Sequence, residues 1–401
     1  MRYKIINKKK FYATMLADLI GNLLFLPQRF KKVREIRPEE IKEILVIRTA
    51  YIGDVVMTLP ILKPLKERYP GCRISFLAPS GVKDLLAGHP YIDEIIVYDA
   101  FWFYPDSPNR YIPFLKKLTS RKFDLIIETR SDIRDILFLA LPSRARYKVS
   151  YGVGGGAYML THEVPYTKLK HKVEYHLDIV RYLGCSVENK EFGINLTEDE
   201  KKSLQVLLGE NGIEGSFFCA HPGGRLPLKR WPVEKSAELY DRLLSAYGVP
   251  LVLVGSKYEE PLIKEITARM NLKPTVLAGR LNLRELTALL SRSDLFICND
   301  SGPLHLAAAM GTPIVAVFGP SNSFETSPYG NRHIIVEKDF SCRKTCDEKK
   351  CNNKRYHACM MDIQTEDVYR AAQELLSQNS KLYQNYPLQL SQRERDQILL
   401  A

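Results

Sequence analysis

The stretch that decides the fold is Leu295-Phe-Ile-Cys-Asn-Asp300-Ser-Gly-Pro-Leu-His305-Leu-Ala-Ala-Ala-Met310-Gly-Thr-Pro-Ile-Val-Ala-Val-Phe318. It begins with a short apolar run, residues 295–298, of the kind that forms a strand buried on both faces of a parallel sheet. A turn follows over residues 299–302 and leaves Asp300 or Ser301 available to cap a helix over 304–310, which Gly311 ends. A second strand is predicted over 314–318, so the stretch is a β-α-β unit of an α/β fold.

The turn before this helix is a candidate ligand site. Open α/β sheets bind ligands at the carboxyl ends of their strands, and a helix N-terminus placed there favours an anion. We expect the backbone N–H groups of Ser301 to Leu304 to face phosphates. A carboxylate would repel a phosphate, so we expect Asp300 to cap or orient. The alternative is that the turn merely connects a strand to a helix.

Composition bounds the class of protein. The chain has 401 residues, 45% of them hydrophobic and 26% charged, which suits two soluble α/β domains. We find no apolar run of about 18 residues without a charge, so no transmembrane helix is predicted. The formal net charge of +12 indicates an anionic partner such as a nucleic acid, a membrane face or a phosphorylated substrate.

The N-terminal region, residues 1–42, is basic and contains one amphipathic helix. Its Lys and Arg residues exceed its Asp and Glu residues by about seven. Between basic flanks, one helical stripe is apolar, and Pro27 stops the helix; Asp18 and Asn22 lie on its other face. The stripe comprises Tyr12, Met15, Leu16, Leu19, Ile20, Leu23 and Leu26. The pattern favours a helix lying in the plane of an anionic membrane; the alternative is a helix packed on the protein itself.

Residues 43–195 are predicted to form a first doubly wound domain. A buried strand at 44–48 leads into a loop that ends with Gly53 and Asp54, at the carboxyl end of that strand. The helix that follows, over 55–69, is expected to be interrupted at Pro60 and Pro64. Asp54 is either a functional carboxylate or simply an N-cap. Further strands are predicted at 73–77, 94–98 and 125–129.

Two other segments of this domain carry unusual residues. Phe101-Trp-Phe-Tyr104 is an aromatic loop that could face a substrate or pack in the core. Tyr151-Gly-Val-Gly-Gly-Gly156 is rich in glycine, but it follows no clear strand, so we do not interpret it as a dinucleotide-binding fingerprint.

A second doubly wound domain is predicted over 196–378, followed by a polar tail over 379–401. Its first strand, at 216–220, leads into His221-Pro-Gly-Gly224, a phosphate-loop candidate in which glycines permit close backbone approach. Arg225, Lys229 and Arg230 add three cations beside that turn, although basic residues are often merely solvated.

Four of the eight cysteines form a cluster: Cys342, Cys346, Cys351 and Cys359, with His357 nearby. Four close thiols are typical of a structural zinc site, but the paired C-x2-C spacing of a zinc ribbon is missing. Zinc, two disulfides and free thiols all remain open. The other four cysteines are scattered in apolar contexts and are predicted to be buried free thiols of a reducing compartment.

The pattern Asn299-Asp-Ser-Gly-Pro-x-His-x-Ala-Ala-x-x-Gly-x-Pro-x-x-x-x-Phe-Gly-Pro320 resembles the signature of glycosyltransferase family 9, whose best-known members are ADP-heptose:lipopolysaccharide heptosyltransferases. The resemblance extends over roughly residues 44–376 and includes a His-x-Val-Glu segment at His171. It implies the GT-B architecture, in which two Rossmann-like doubly wound domains face a central cleft. It also implies transfer of a heptose or related sugar from an ADP-sugar to a lipopolysaccharide core acceptor, with inversion and without a metal cofactor.

The resemblance assigns roles to individual residues. Asp54 becomes the general base, and Lys229 the cation at the leaving diphosphate. Residues implied at the donor are His221, Gly223, Gly224, Glu259, Leu281, Asp300, Ser301, Gly302, Pro303, Leu304 and His305. Residues expected at the acceptor are Arg48, Tyr51, Gly53 and Arg130. If Asp54 is not the base, the next carboxylates to examine are Glu128, Asp132 and Asp135.

These residue types suit the chemistry. A single displacement at the anomeric carbon needs one carboxylate to take the acceptor proton, and cations or helix N-termini to stabilise the departing diphosphate. The implied partners are a nucleotide-sugar, a phosphorylated glycolipid and an anionic membrane, which places the protein on the cytoplasmic face of the inner membrane. The alternatives are a transferase or epimerase using another NDP-sugar, and a non-catalytic nucleotide-sugar binder. Nucleic-acid binding rests on charge alone.

Overall fold

The computed structural model describes residues 3–5, 7–26, 35–330, 332–346 and 348–377. The predicted helix stop at Pro27 and the predicted tail over 379–401 lie outside these residues. The chain divides into two compact units, Met1–Asn195 and Leu196–Ala401.

The first unit is built on a six-stranded parallel sheet. Its strands are β1 Glu43–Ile47, β2 Arg73–Ala78, β3 Glu94–Val97, β4 Leu125–Glu128, β5 Tyr147–Tyr151 and β6 His162–Val164. Its helices are α1 Lys8–Leu24, α2 Ile52–Thr58, α3 Leu62–Arg68, α4 Lys83–Leu86, α5 Tyr111–Thr119, α6 Ile133–Asp135, which continues as a π-helical turn over Ile136–Ala140, and α7 Lys172–Tyr182.

The second unit repeats this plan. Its strands are β7 Phe218–His221, β8 Leu251–Leu253, β9 Thr275–Val276, β10 Leu295–Asn299, β11 Ile314–Phe318 and β12 His333–Glu337. Its helices are α8 Glu198–Glu210, α9 Val233–Tyr247, α10 Glu260–Thr267, α11 Leu283–Arg292, α12 Gly302–Met310, α13 Ser323–Thr326, α14 Ala358–Met361 and α15 Thr365–Ser377.

The two sheets share one strand order. The first runs β3-β2-β1-β4-β5-β6 and the second β12-β11-β10-β7-β8-β9, with every neighbouring pair parallel. In each sheet the chain builds outward on one side and then returns to the middle to build the other side. The reversal falls between β1 and β4 in one sheet and between β7 and β10 in the other. Such a switch point opens a crevice at the carboxyl ends of the two central strands, where α/β sheets bind ligands.

The central strands are apolar and almost completely buried. Residues Ile44–Ile47 of β1 and all of β10 and β11 are buried. Continuous burial of this kind is the signature of a parallel sheet. The strands predicted from the opening stretch are therefore confirmed, and the helix between them begins two residues earlier than expected, at Gly302.

One of the two predicted proline interruptions is wrong. Pro60 does end a helix, because it lies in the 3-10 turn Leu59–Ile61 between α2 and α3. Pro64 instead lies within the first turn of α3, Leu62–Arg68. The first N–H groups of a helix have no intrahelical partner, so proline is tolerated there.

Helix α1 packs with its polar face against the rest of the first unit, around residues 155–158. Asp18 is buried and accepts hydrogen bonds from the hydroxyl of Tyr3 and from the backbone N–H of Gly156, both at 2.8 Å. Gly21 lies against Tyr158, since a Cβ at Gly21 would stand 2.1 Å from the tyrosine ring. The apolar stripe consequently faces outward, with Leu19 69% and Leu23 72% exposed.

The glycine-rich segment is the surface on which α1 rests. Gly155 and Gly156 have φ values of +92° and +82°, in the left-handed region that favours glycine. A Cβ at Gly155 would approach Thr14 of α1 to 2.4 Å. The segment is therefore a close-approach surface for a helix. It directly follows β5, which ends at Tyr151, so the expectation that no strand precedes it is wrong; that it is no dinucleotide fingerprint stays an interpretation. No helix in the described part of the chain combines the length and apolar character needed to cross a membrane.

Candidate active-site residues in each unit

In the first unit, Asp54 is the centre of a charged cluster at the β1/β4 switch point. It is the third residue of α2, whose N-cap is Tyr51, so the simple N-cap interpretation is wrong. Its Oδ1 accepts a hydrogen bond from Arg48 Nη2 at 2.5 Å and lies 3.4 Å from Lys172 Nζ. The Asp54 side chain is 15% exposed, so a substrate hydroxyl can reach it.

Arg48 lies behind Asp54, and its predicted contact with the acceptor stays a prediction. Its side chain is only 4% exposed, and its donors go to protein atoms. Arg48 Nε donates to the carbonyl of Ala50 at 3.3 Å, and Nη1 donates to the carbonyl of Thr129 at 3.1 Å. The guanidinium therefore ties the end of β1 to the end of β4 and fixes the Asp54 carboxylate, because its planar donors are held on several sides.

Buried His176 completes the support behind Arg48. Its Nδ1 lies 3.0 Å from the carbonyl of Met57, and its Nε2 lies 3.4 Å from Arg48 Nη1. Nδ1 therefore carries the proton and Nε2 accepts from the guanidinium. Burial, together with the positive charge of Arg48, lowers the pKa of His176 to about 3. A neutral imidazole is the form that fits beside an arginine.

Arg130 lies at the same strand ends, beside an aromatic surface. Its guanidinium carbon lies 3.8 Å from the ring centroid of Phe103 and 5.9 Å from that of Tyr51. Its Nη1 is buried and makes no hydrogen bond. An unsatisfied guanidinium donor costs free energy until an acceptor reaches it. Arg130 Nε also lies 3.6 Å from Asp132 Oδ2, and contact of Arg130 with the acceptor stays a prediction.

The aromatic loop divides between the two roles proposed for it. Trp102 packs inward, and its Nε1 donates to Asp135 Oδ1 at 2.9 Å. Phe103 and Tyr104 instead lie against Tyr51, with ring centroids 6.4 Å and 6.3 Å away. The outer half of the loop therefore forms one wall beside Arg130 and Tyr51.

Glu128, Asp132 and Asp135, the carboxylates named as alternatives to Asp54, are buried and contact other protein groups. Burial, with the charge of Asp135 second, raises the pKa of Glu128 to about 8; Glu128 accepts from Ser150 Oγ at 2.6 Å. Burial, with the charge of Asp132 second, raises the pKa of Asp135 to about 6. For Asp132 burial acts upward, but hydrogen bonds from Arg134 lower its pKa to about 2. Asp54 is the more exposed carboxylate at this site, since Glu128 and Asp135 are 1% and 0% exposed.

In the second unit, His221 joins three loops at neighbouring strand ends. It is the last residue of β7. Its Nδ1 lies 3.0 Å from Ser301 Oγ, after β10, and its Nε2 lies 3.3 Å from Glu259 Oε2, after β8. The side chains predicted at the donor from three separate stretches are therefore brought together at the β7/β10 switch point.

Glu259 holds the glycine turn in place. Its Oε1 accepts from the backbone N–H of Gly224 and its Oε2 from that of Ser256, both at 2.8 Å. A Cβ at Gly223 would stand 2.0 Å from Glu259 Oε1, so only glycine allows this approach. Burial would raise the pKa of Glu259, but the hydrogen bond from His221 and its other donors hold it well below its usual range. The predicted ribose contact of Glu259 stays a prediction.

Lys229 is a buried cation between two carboxylates. Its Nζ lies 2.7 Å from Asp300 Oδ2 and 2.8 Å from Glu348 Oε2, and its side chain is 15% exposed. Burial alone would lower its pKa, but the charges of Asp300 and Glu348 raise it, so the ammonium form is held. Asp300 therefore orients the lysine; the idea that it caps α12 is wrong.

The N-terminus of α12 presents backbone donors beside this lysine. Ser301 is the N-cap residue but makes no side-chain cap, because its Oγ faces His221. Pro303 has no N–H group, which corrects the set of predicted donors. The remaining N–H groups, at Ser301, Gly302 and Leu304, belong to the first turn of a helix of 9 residues, whose dipole favours an anion.

The remaining predicted donor residues lie on either side of this turn. His305 is 5% exposed and follows the turn on α12. Leu281 is half-buried between β9 and α11. Their contacts with adenine or phosphate stay predictions.

The sequence interpretation missed Lys172 and Asn299 as site residues. Lys172 stands in the family-like segment that begins at His171, so that segment was the available signal. Asn299 Nδ2 donates to the carbonyls of Pro222 and Gly223 at 2.7 Å and 3.1 Å, which fastens the glycine turn to β10. Its place beside Asp300 in the opening stretch was noted, but no residue pattern pointed to its partner.

The structure contains no disulfide bond among the clustered cysteines, and the choice between disulfides, free thiols and a metal site stays open. Burial, followed by the charges of the other three cysteines, raises the pKa of Cys359 to about 11. Leaving aside Asp347 and the other undescribed residues, no set of three or more His, Cys, Asp or Glu side chains is arranged to hold a metal ion. A zinc site at these cysteines stays a hypothesis.

Comparisons with known proteins match this chain to one family. Residues 112–357 match the sequence model described as glycosyltransferase family 9 (heptosyltransferase). A lipooligosaccharide heptosyltransferase 2 from Haemophilus influenzae is 28% identical over 366 residues, which cover 83% of this chain and 99% of the relative.

Two solved structures are similar along nearly their whole length. A glycosyltransferase family 9 protein from Veillonella parvula superimposes with a TM-score of 0.72 at 25% identity, covering 86% of this chain and 100% of the other. An ADP-heptose lipopolysaccharide heptosyltransferase II from E. coli superimposes with a TM-score of 0.68 at 22% identity, covering 84% and 99%, and shows a shared fold.

Proposed function

The chain belongs to glycosyltransferase family 9, and on that premise we propose that it is an inverting, metal-independent heptosyltransferase. It transfers a heptose from an ADP-sugar to the core of a lipopolysaccharide acceptor. The identified relatives are lipopolysaccharide or lipooligosaccharide heptosyltransferases, which supports both the sugar and the class of acceptor.

The proposed reaction is a single displacement at the anomeric carbon. The acceptor hydroxyl oxygen forms a bond to that carbon while the bond to the β-phosphate oxygen of ADP breaks. The hydroxyl proton passes to the Asp54 carboxylate. The charge that grows on the departing diphosphate is stabilised by the Lys229 ammonium and by the N–H groups at the start of α12.

The observation that carries this proposal is the placement of both clusters. Asp54 stands at the β1/β4 switch point, and Lys229 with α12 at the β7/β10 switch point. Each is where its sheet is expected to bind a ligand. One cluster presents an accessible carboxylate and the other presents cations and backbone donors, which are the two requirements of an inverting transfer without a metal.

The acceptor side of the proposal rests on Arg130. Its unpaired Nη1 and the aromatic wall of Tyr51 and Phe103 suit a sugar that carries a phosphate or carboxylate. Guanidinium groups bind such anions with paired, directional hydrogen bonds.

The membrane side of the proposal rests on α1. Its outward stripe of apolar residues stands beside Lys8, Lys9 and Lys10 at the helix start. This combination suits an in-plane helix on an anionic leaflet, where a glycolipid acceptor would be met. We accordingly propose a peripheral location on the cytoplasmic face of the inner membrane.

The test of the proposed base is Asp54→Asn. Asparagine keeps the shape and removes the proton acceptor, so turnover is expected to fall by roughly a hundred-fold to ten-thousand-fold. ADP affinity should stay near that of the unaltered enzyme, because the donor contacts lie on the other unit. Loss of charge beside buried Arg48 should also lower thermal stability by about 1–3 kcal/mol. Near-normal turnover would remove Asp54 as the base.

A further inference from the structure

The cysteine-rich segment reaches the phosphate-binding lysine of the second unit. This segment, residues 341–361, is anchored on both sides of Glu348. On one side, Arg343 Nη2 donates to the carbonyl of Ser321 at 2.8 Å. On the other, His357 Nε2 donates at 2.7 Å to the carbonyl of Leu228, the residue before Lys229. Met360, with no exposed surface, fixes the end of the segment in the core.

Glu348 is the residue this segment places on Lys229. Its carboxylate lies 2.8 Å from Lys229 Nζ, opposite the 2.7 Å contact with Asp300. Its φ is +64°, a left-handed conformation that costs free energy in a residue other than glycine. The residue that contacts Lys229 therefore has an unfavourable backbone conformation.

The net charge of Lys229, Asp300 and Glu348 together disfavours the binding of a diphosphate. One ammonium and two carboxylates sum to a net negative charge, whereas ADP and ADP-sugars carry several negative charges of their own. The two carboxylates are not equally held. Asp300 directly follows β10 and is 10% exposed, whereas Glu348 lies on the anchored segment and is 30% exposed. Glu348 is therefore the carboxylate that a diphosphate can displace.

We propose that the Glu348 carboxylate occupies, in the donor-free protein, the position on Lys229 that a phosphate oxygen of the nucleotide-sugar takes, and that donor binding displaces it. The contact is autoinhibitory, because each donor must compete with a carboxylate that the fold supplies. It also keeps the Lys229 ammonium paired, in place and closed to other small anions between turnovers. The inference rests on the proposed role of Lys229 at the diphosphate.

The first experiment measures ADP affinity by calorimetry. Glu348→Gln removes the competing charge and keeps the side-chain size, so ADP should bind about three- to ten-fold more tightly. Asp362→Asn is the matched control, because it removes a carboxylate of the same region whose partner is Arg355, at 2.6 Å. That control should bind ADP like the unaltered protein. Equal or weaker binding by Glu348→Gln would overturn the proposal.

A double-mutant cycle identifies the partner. In a Lys229→Ala background the ion pair no longer exists, so adding Glu348→Gln should recover little of the gain. A full gain in that background would show that Glu348 repels ADP generally, which contradicts competition for Lys229.

Hydrogen exchange distinguishes displacement of Glu348 from Lys229 by ADP from retention of that contact. Amides of residues 348–356 should exchange faster when ADP is bound, while those of the His221–Gly224 turn exchange more slowly. Slower exchange in both would show that Glu348 stays in place and would overturn displacement. If neither the unaltered protein nor Glu348→Gln binds ADP, the proposed donor fails and this inference with it; binding with equal affinity overturns this inference alone.

Discussion

At the scale of single residues, the Lys229→Ala variant distinguishes an effect on donor binding from an effect on the chemical step. In the proposed mechanism, the Lys229 ammonium interacts most strongly with the diphosphate when the sugar–phosphate bond breaks, because charge then accumulates on the leaving oxygen. Lys229→Ala is therefore expected to lower kcat more than it raises the KM of the donor, with a loss of about a hundred-fold in turnover. Steady-state kinetics with varied donor measure both quantities. A raised KM with unchanged kcat would show that the lysine binds ground state and transition state equally.

His176 predicts a pH dependence of stability. Its pKa is about 3 in the folded chain, below its ordinary value of 6.5, so between these values the unfolded chain binds more protons. Stability from this residue is complete above about pH 6.5 and is lost as the pH falls towards 3. From pH 7 to pH 5 the loss should be about 2 kcal/mol in free energy of unfolding.

Urea unfolding at several pH values tests this, with His176→Gln as the comparison. Asp135, whose raised pKa of about 6 gives a slope of opposite sign in the same window, is present in both proteins, so the difference isolates the histidine. Identical pH slopes for the two proteins would contradict a neutral buried His176.

Site residues could be predicted from the sequence where they belong to a motif, but the residues that contact them could not. The sequence pointed to Asp54, Lys229 and His221, and the structure places each at a switch point. It did not reveal that Arg48 is buried behind Asp54, nor that Glu348 reaches Lys229 from 119 positions along the chain. Such pairings depend on which loops the fold brings together, and one sequence carries no record of them.

At the scale of elements, the exposed apolar stripe of α1 leads to a test of the proposed membrane contact. Leu19→Ser with Leu23→Ser alters two highly exposed side chains, so folding should be unaffected. Each leucine buried in lipid contributes about 1.5 kcal/mol or more, so binding to anionic vesicles should weaken about a hundred-fold. Sedimentation with vesicles measures the loss.

The matched control is Ile112→Ser with Val206→Ser, which removes two exposed apolar side chains, 59% and 61% exposed, from other helices. That protein should still bind vesicles. Unchanged binding by the α1 variant would show that the helix is not the anchor.

The strands that the sequence did not reveal are β5, β6 and β12. Strands β1, β2, β3, β4, β7, β10 and β11 were predicted from short apolar runs, including the edge strand β3. Strands β5 and β6 mix polar with apolar residues, so no clear pattern marked them. The stripe of α1 was recognised correctly, but a pattern of period 3.6 cannot say that the polar face is the one that packs.

At the scale of the whole molecule, metal-free chemistry is the remaining prediction. Sugar transfer is expected to survive excess EDTA, because in the proposed mechanism Lys229 and the α12 N-terminus stabilise the diphosphate in place of a metal cation. Activity and melting temperature should be measured on the same samples. If EDTA lowers the melting temperature and activity together, the cysteine cluster holds a structural metal. Loss of activity alone, restored by magnesium or zinc, would contradict the proposed mechanism.

The fold class was accessible from the sequence, and the GT-B assignment is confirmed by the solved structures that superimpose on this chain. The opening stretch indicated a β-α-β unit of an α/β fold, and the further apolar strands along the chain indicated two doubly wound domains. The family resemblance supplied the sugar and the donor. Residue patterns alone could not have supplied them, because the same strand order supports many unrelated reactions.

Helix α1 packs through its polar face and exposes its apolar face. The residues on these two faces should therefore tolerate different substitutions during evolution. Asp18, Gly21 and the glycines at 155 and 156 are fixed by close contact, where even one methyl group would collide. The outward residues need only remain apolar, so leucine, isoleucine and methionine can replace one another there with little effect on stability. Descendants of this chain should therefore keep the buried polar pattern of the helix and let its apolar surface drift, the reverse of what an ordinary core-facing helix shows.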